Sequence, residues 1–172
     1  MKIPPYLKKG NTIGITCPAG YMAAEKAQTC INVLQQWGYE VMVGKTLGSD
    51  SVNYFSATDE ERRDELQAML DDKNIKAIMC ARGGYGAVRI IDQLDFKKFA
   101  LHPKWIIGFS DITVIHSHLN KNFGIASIHS KMCNSFPKEW SKAEPVQMET
   151  IESIQKCLSG NKMVYPFIPN EK

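Results

Sequence analysis

Ile75-Lys76-Ala77-Ile78-Met79-Cys80-Ala81-Arg82-Gly83-Gly84-Tyr85-Gly86 is the stretch on which the fold turns. Its first six residues, IKAIMC, are a short apolar run of strand length. Three glycines in four positions then mark a tight loop, and Ala87 to Leu94 resumes at a helical period. A strand that passes through a glycine loop into a helix is the repeating unit of a parallel sheet, because parallel neighbours need a crossover. The same grammar recurs on both sides. Upstream, Asn11 to Cys17 reads as a strand stopped by Pro18-Ala19-Gly20, and Ala23 to Trp37 carries Ala27, Ile31, Leu34 and Trp37 at helical spacing before Gly38. Glu40 to Val43 is a second strand, and Gly44 to Ala57 is a polar stretch. Thr58-Asp59-Glu60-Glu61 has the capping-box form and opens a helix with Leu66, Met69 and Leu70 on one face. Downstream, Trp105 to Gly108 is a strand, Asp111 to Lys121 a helix and Gly124 to His129 a short fifth strand.

This alternation predicts a three-layer α/β/α domain with a mostly parallel sheet, of the flavodoxin-like or glutamine-amidotransferase-like kind. Reactive groups in such folds gather at the carboxyl ends of the strands. Three loops fall there: Pro18 to Met22, Ala81 to Gly86, and Phe109 to Asp111.

Composition narrows the function classes. The chain has 172 residues with 21 Lys+Arg against 18 Asp+Glu, and hydrophobic residues make up 44%. That apolar share excludes disorder. A balance of +3 is far from a basic stripe and argues against a nucleic-acid partner. No apolar run approaches the roughly 20 residues of a membrane span, and the N-terminus lacks the apolar core of a signal peptide. Five cysteines without a C-x-x-C pair suggest reduced thiols, a cytoplasmic location and small core residues rather than nucleophiles or zinc ligands. After Phe136 the composition shifts: Pro137, Pro145, Pro166 and Pro169 are half of the chain's prolines. A helix over Val146 to Leu158, ended by Gly160, and an extended segment from Met163 to Ile168 follow. The expected division is an α/β domain over 1–145, then a linker helix and the start of a further domain over 146–172.

Gly108-Phe109-Ser110-Asp111-Ile112-Thr113 lies between a strand and a helix. A serine there sits at a helix N-terminus, where the dipole and free amides stabilise negative charge on an attacked carbonyl. The pattern is a partial nucleophile elbow, with Ile112 in place of the second glycine of G-x-S-x-G. Ser110 can equally be read as a helix cap. The loop Ala81 to Gly86 matches neither G-x-G-x-x-G nor a Walker loop. Its glycines either bring backbone amides close to a ligand or serve a tight turn only. Arg82 is either a carboxylate clamp or a solvated charge. A flavodoxin-like module that binds an anion or nucleotide, with Ser110 as a cap, is the alternative reading.

ARGGYG, then Leu94-Asp95, PKWIIGFSDIT and GIASIH, in that order, resemble the N-terminal domain of the LD-carboxypeptidases. This serine peptidase family includes murein tetrapeptide carboxypeptidase and the microcin C immunity peptidase. Gly10 to Ile15 and Pro18-Ala19-Gly20 resemble its first strand and turn, and the likeness covers residues 1 to about 165. The resemblance implies hydrolysis of an L,D peptide bond in a muropeptide or other peptide, classically release of a terminal D-alanine during peptidoglycan recycling. Ser110 matches the nucleophile, and the amides of Asp111 and Gly84 match the oxyanion hole. Arg82, Gly83 and Tyr85 of the glycine loop are the candidate substrate-binding residues. It implies no metal or organic cofactor, and a possible homodimer. Family members draw a Glu and a His from a C-terminal domain to complete a triad, so that missing C-terminal domain is the expected partner of this chain, and the chain alone is expected to be inactive. Among His102, His116, His118 and His129, none matches the family base. His116, about 1.7 turns beyond Ser110, is expected to point away from it. His129-Ser130-Lys131 stands where many relatives carry His-Gly-Pro.

Overall fold

The hydrophobic alternation resolves into strands β1 (Thr12–Thr16), β2 (Glu40–Val43), β3 (Ser51–Val52), β4 (Phe55–Ser56), β5 (Ile75–Cys80), β6 (Trp105–Gly108) and β7 (Ile128–His129). The helices are α1 (Gln28–Gln36), α2 (Asp59–Asp71), α3 (Ala87–Ile90), α4 (Lys97–Leu101), α5 (Thr113–Phe123) and α6 (Pro145–Leu158). This architecture is that of a computed structural model, which describes residues 1–165. Five strands form one sheet in the order β2-β1-β5-β6-β7, every pair parallel. Numbered within that sheet alone, the order is the 2-1-3-4-5 of flavodoxin-like folds, whose crevice opens where the order reverses, between β1 and β5. Ala77 to Cys80 and all of β6 are buried residue after residue. That unbroken burial requires cover on both faces of the sheet.

Local chemistry accounts for the element ends. Thr58 and Glu61 close the capping box, the Glu61 amide donating to the Thr58 hydroxyl at 3.2 Å. Gly124 ends α5 in the left-handed conformation, which glycine adopts without penalty. The Ala23–Trp37 segment starts as a 3-10 turn over Ala24–Ala27 before α1, and Ala87–Leu94 splits into α3 and a 3-10 turn over Ile91–Gln93.

The structure adds to the sequence reading in four places. The polar stretch 44–57 contains a hairpin: β3 and β4 pair antiparallel, Ser51 opposite Ser56 and Val52 opposite Phe55. Two-residue strands are too short for alternation to reveal. The segment 95–102 holds α4, which carries the buried Phe99. The fifth strand is only β7, because Ile125 pairs instead with Lys2 of the N-terminal arm. That arm is pinned by the Trp105 indole donating to the Pro5 carbonyl at 3.0 Å and by the Leu7 amide donating to Leu158 at 2.8 Å. Finally, α6 packs on the domain through one face. Ile151, Ile154 and Leu158 are fully buried within the domain core. The extended segment expected over 163–168 has no strand over 163–165, and the rest of it lies outside the described residues.

A polar network ties the β1 end to α2. Glu65 accepts from the Thr16 hydroxyl at 2.7 Å, the Thr46 hydroxyl at 2.5 Å and the Thr46 amide at 3.0 Å. Thr46 in turn accepts from the Cys17 amide at 2.9 Å. This network fixes the exit of β1, one wall of the crevice.

Candidate active site

β6 ends at Gly108 and Phe109 is fully extended, with φ −151° and ψ −172°. Ser110 then turns into the left-handed region at φ +58° and starts a 3-10 turn that leads into α5. A side-chain-bearing residue pays about 1–2 kcal/mol for that conformation. The position before the turn belongs to Phe109, and no side chain caps it. The Ser110 hydroxyl, exposed, has no hydrogen-bond partner among the described residues. The cap reading of Ser110 therefore finds no bond to support it.

The glycine loop closes on this elbow. Gly83 is buried so near it that a Cβ there would lie 3.3 Å from the Asp111 amide nitrogen and 3.4 Å from the Ser110 Cβ. Gly84 follows at φ +118°, a conformation that L residues rarely adopt. The Asp111 carboxylate accepts from the Ala87 amide at 2.9 Å, which fastens the elbow to the loop's exit. The Asp111 amide lies in the first turn, where a helix offers no acceptor. Neither it nor the Gly84 amide has an acceptor among the described residues. Tyr85, at φ +58° and 83% exposed, forms the loop tip.

The first loop completes the convergence. The Gly20 amide donates to Gly83 at 2.9 Å, and the Asn134 amide donates to Ala81 at 3.0 Å. Arg82 reaches back from the glycine loop: Nη1 donates to the Tyr21 carbonyl at 2.7 Å and Nη2 to the Tyr54 hydroxyl at 3.2 Å. All three loops singled out by sequence thus meet at the switch point between β1 and β5. Tyr54 was not foreseen; the only local signal is Asn53, a residue tolerant of left-handed turns.

No histidine bonds to Ser110. His116, expected to point away from the elbow, is buried; its Nε2 donates to the Gly108 carbonyl at 3.0 Å. Burial lowers the His116 pKa, against the Gly108 hydrogen bond, and its Nδ1 is buried without a partner. His129 stands 5.9 Å away, ring centre to ring centre. His118 packs on Phe96 at 4.8 Å, and His102 is an exposed connector. Cys17, Cys30, Cys80 and Cys133 are buried and Cys157 is half-buried; burial pushes the Cys17 thiol up to about 12 and raises the Cys157 thiol as well. Among the described residues there is no cluster of three metal-ligating side chains, and no helix is long and apolar enough to cross a membrane.

Several hollows open on the fold. One of about 350 Å³ adjoins the elbow, between Phe109, His129, Lys131, Ser153, Cys157 and Tyr165. A larger one, about 510 Å³, lies between β2 and α2 and shares none of the elbow residues.

Residues 13–130 match the family model described as LD-carboxypeptidase N-terminal domain. A probable murein peptide carboxypeptidase of Bacillus subtilis is 36% identical over 77% of this chain and 41% of that protein. A muramoyltetrapeptide carboxypeptidase from Oxalobacter formigenes aligns with TM-score 0.71 and 29% identity, covering 86% of this chain and 47% of the other. An MccF-like protein from Bacillus anthracis aligns with TM-score 0.81 over 92% of this chain and 47% of the other, and at 24% identity it speaks to the fold alone. The chain spans about half the length of the curated relatives it matches.

Proposed function

The chain belongs to the LD-carboxypeptidase family, and from that premise we propose that it is the nucleophile-bearing part of a serine LD-carboxypeptidase acting on muropeptides. The reaction is hydrolysis of an L,D peptide bond with release of a terminal D-alanine, as in peptidoglycan recycling, and the setting is cytoplasmic. The observation that carries the reading is the left-handed Ser110 elbow, its hydroxyl uncommitted, packed against a glycine loop, with the Asp111 and Gly84 amides both lacking an acceptor among the described residues. Ser110 attacks the scissile carbonyl, and the Asp111 and Gly84 amides hold the oxyanion that forms. Gly83, Arg82 and Tyr85 border the substrate. The Asp111 side chain keeps both donors in register through its bond to Ala87.

A serine hydroxyl needs a base to take its proton. In the family that base is a His oriented by a Glu from the C-terminal domain. Among the described residues no histidine accepts from Ser110, which supports supply of the base from elsewhere. On its own the chain is therefore expected to turn over barely, if at all.

A boronic acid analogue of an acylated D-alanine tests the elbow without requiring a base. The expected result is a tetrahedral adduct on Ser110, seen by boron NMR and lost in Ser110→Ala. An adduct that persists in Ser110→Ala, or none in the parent chain, refutes the nucleophile. Release of D-alanine from murein tetrapeptide by the chain, abolished by Ser110→Ala, would instead refute the external base.

A further inference from the structure

We propose that Tyr54, on the β3–β4 hairpin, is a specificity-determining residue that joins Arg82 in a lip for the free terminal carboxylate of the peptide; this rests on the peptidase reading above. The hairpin tip is costly. Asn53 at φ +50° and Tyr54 at φ +82° are both left-handed, and neither is glycine. The cost is met by firm anchoring on the first loop. The Tyr21 amide donates to the Tyr54 carbonyl and the Ser56 amide to the Ala19 carbonyl, each at 3.0 Å. Phe55 is held beneath the guanidinium groups of Arg62 and Arg89, 4.9 and 5.2 Å from its centre. Both guanidiniums bind Asp59 at the start of α2.

That anchoring delivers the Tyr54 side chain to the mouth of the site. Its ring faces the Arg82 guanidinium at 5.2 Å. Its hydroxyl oxygen accepts from Arg82 Nη2 and would stand 2.9 Å from a Cβ at Gly84. The phenol is thus beside one of the two proposed oxyanion donors. Its proton has no acceptor among the described residues.

Charge points to the ligand. The chain has four arginines. Arg62 and Arg89 pair with Asp59, and Arg63 pairs with Asp64. Arg82 has no carboxylate partner among the described residues, although it is half-buried. Two of its five N–H groups are committed to Tyr21 and Tyr54. Lys131 adds a second cation near the elbow, 6.0 Å over the Phe109 ring. A half-buried guanidinium without a counter-charge favours an anion. A carboxylate there accepts hydrogen bonds from the Tyr54 hydroxyl and the remaining Arg82 donors together. A C-terminal amide lacks the charge and brings its own N–H groups against those donors.

The test titrates murein tetrapeptide, as free acid and as C-terminal amide, into the Ser110→Ala chain by calorimetry at low salt. The acid is expected to bind about tenfold tighter than the amide, with the advantage shrinking as salt rises. Tyr54→Phe keeps the ring over Arg82 and is expected to cut the acid-to-amide ratio about fivefold, leaving amide binding unchanged. Arg82→Met is expected to abolish the ratio. Equal binding of acid and amide, or a ratio unmoved by Tyr54→Phe, overturns the lip while leaving the peptide cleft in place. Failure of both probes to bind the chain overturns the cleft and the lip together.

Discussion

Replacing Ser110 by alanine and by glycine separates an elbow from a cap. If Ser110 capped α5, alanine would cost about 1 kcal/mol and glycine only a few tenths. The geometry makes another prediction. The hydroxyl has no bond to lose, so Ser110→Ala is expected to change stability by less than about 0.5 kcal/mol. Ser110→Gly relieves the φ +58° strain, worth about 1–2 kcal/mol. Glycine also frees the unfolded chain, which returns about 0.5–1 kcal/mol of that gain. The glycine variant should therefore exceed the alanine variant by about 0.5–1 kcal/mol. For a chain of this size that is a rise of about 1–4 °C in Tm. Equilibrium urea unfolding, followed by circular dichroism, gives the difference directly as a shift in midpoint at constant slope. Neither variant should form the boronate adduct. An alanine variant about 1 kcal/mol below the parent, with glycine a few tenths below the parent rather than above it, would refute the elbow and restore the cap. The expected outcome is a residue that lowers stability where it serves chemistry.

Further tests address the frame of the site. Glu65→Ala leaves the Thr16 and Thr46 donors facing no acceptor. The expected loss is about 2–3 kcal/mol, read by urea unfolding, whereas Glu65→Gln should lose less than half of that; equal losses would show that acceptor geometry is irrelevant. Lys104 is buried beneath the α2 end and donates to the Met69 carbonyl at 2.8 Å and the Asp72 carbonyl at 2.5 Å. Burial pulls its pKa down from 10.5 to about 8. The native state then releases this proton before the unfolded state does, so stability contributed at Lys104 rises as pH climbs from 8 towards 10.5. Against Lys104→Met, the parent should gain about 1–2 kcal/mol between pH 7 and pH 10; a flat or falling difference would contradict this sign.

Much of the fold was legible in the sequence. β2, β5 and β6 were read with their exact limits, and Thr58 to Glu61 placed the start of α2. Apolar runs and caps are local signals, written in consecutive residues. The misses share a cause. The β3–β4 hairpin and α4 are too short to develop a period. Ile125 was claimed by the N-terminal arm through a contact across more than a hundred residues. The inward faces of α6 were legible, but the core that receives them was not.

The sequence by itself determined the parts: a parallel α/β chain, a serine at a strand-to-helix bend, and a glycine loop that permits close approach. The tertiary structure alone decided their relations. It set the strand order whose reversal opens the crevice between β1 and β5. It turned Ser110 left-handed and brought Gly83 against it. It returned His116 beneath Gly108, and placed Tyr54 on an arginine that lacks a counter-charge. The physical reason is range. Backbone propensity acts over a few residues, whereas a site made at strand ends is assembled by packing and hydrogen bonds between segments distant in the chain.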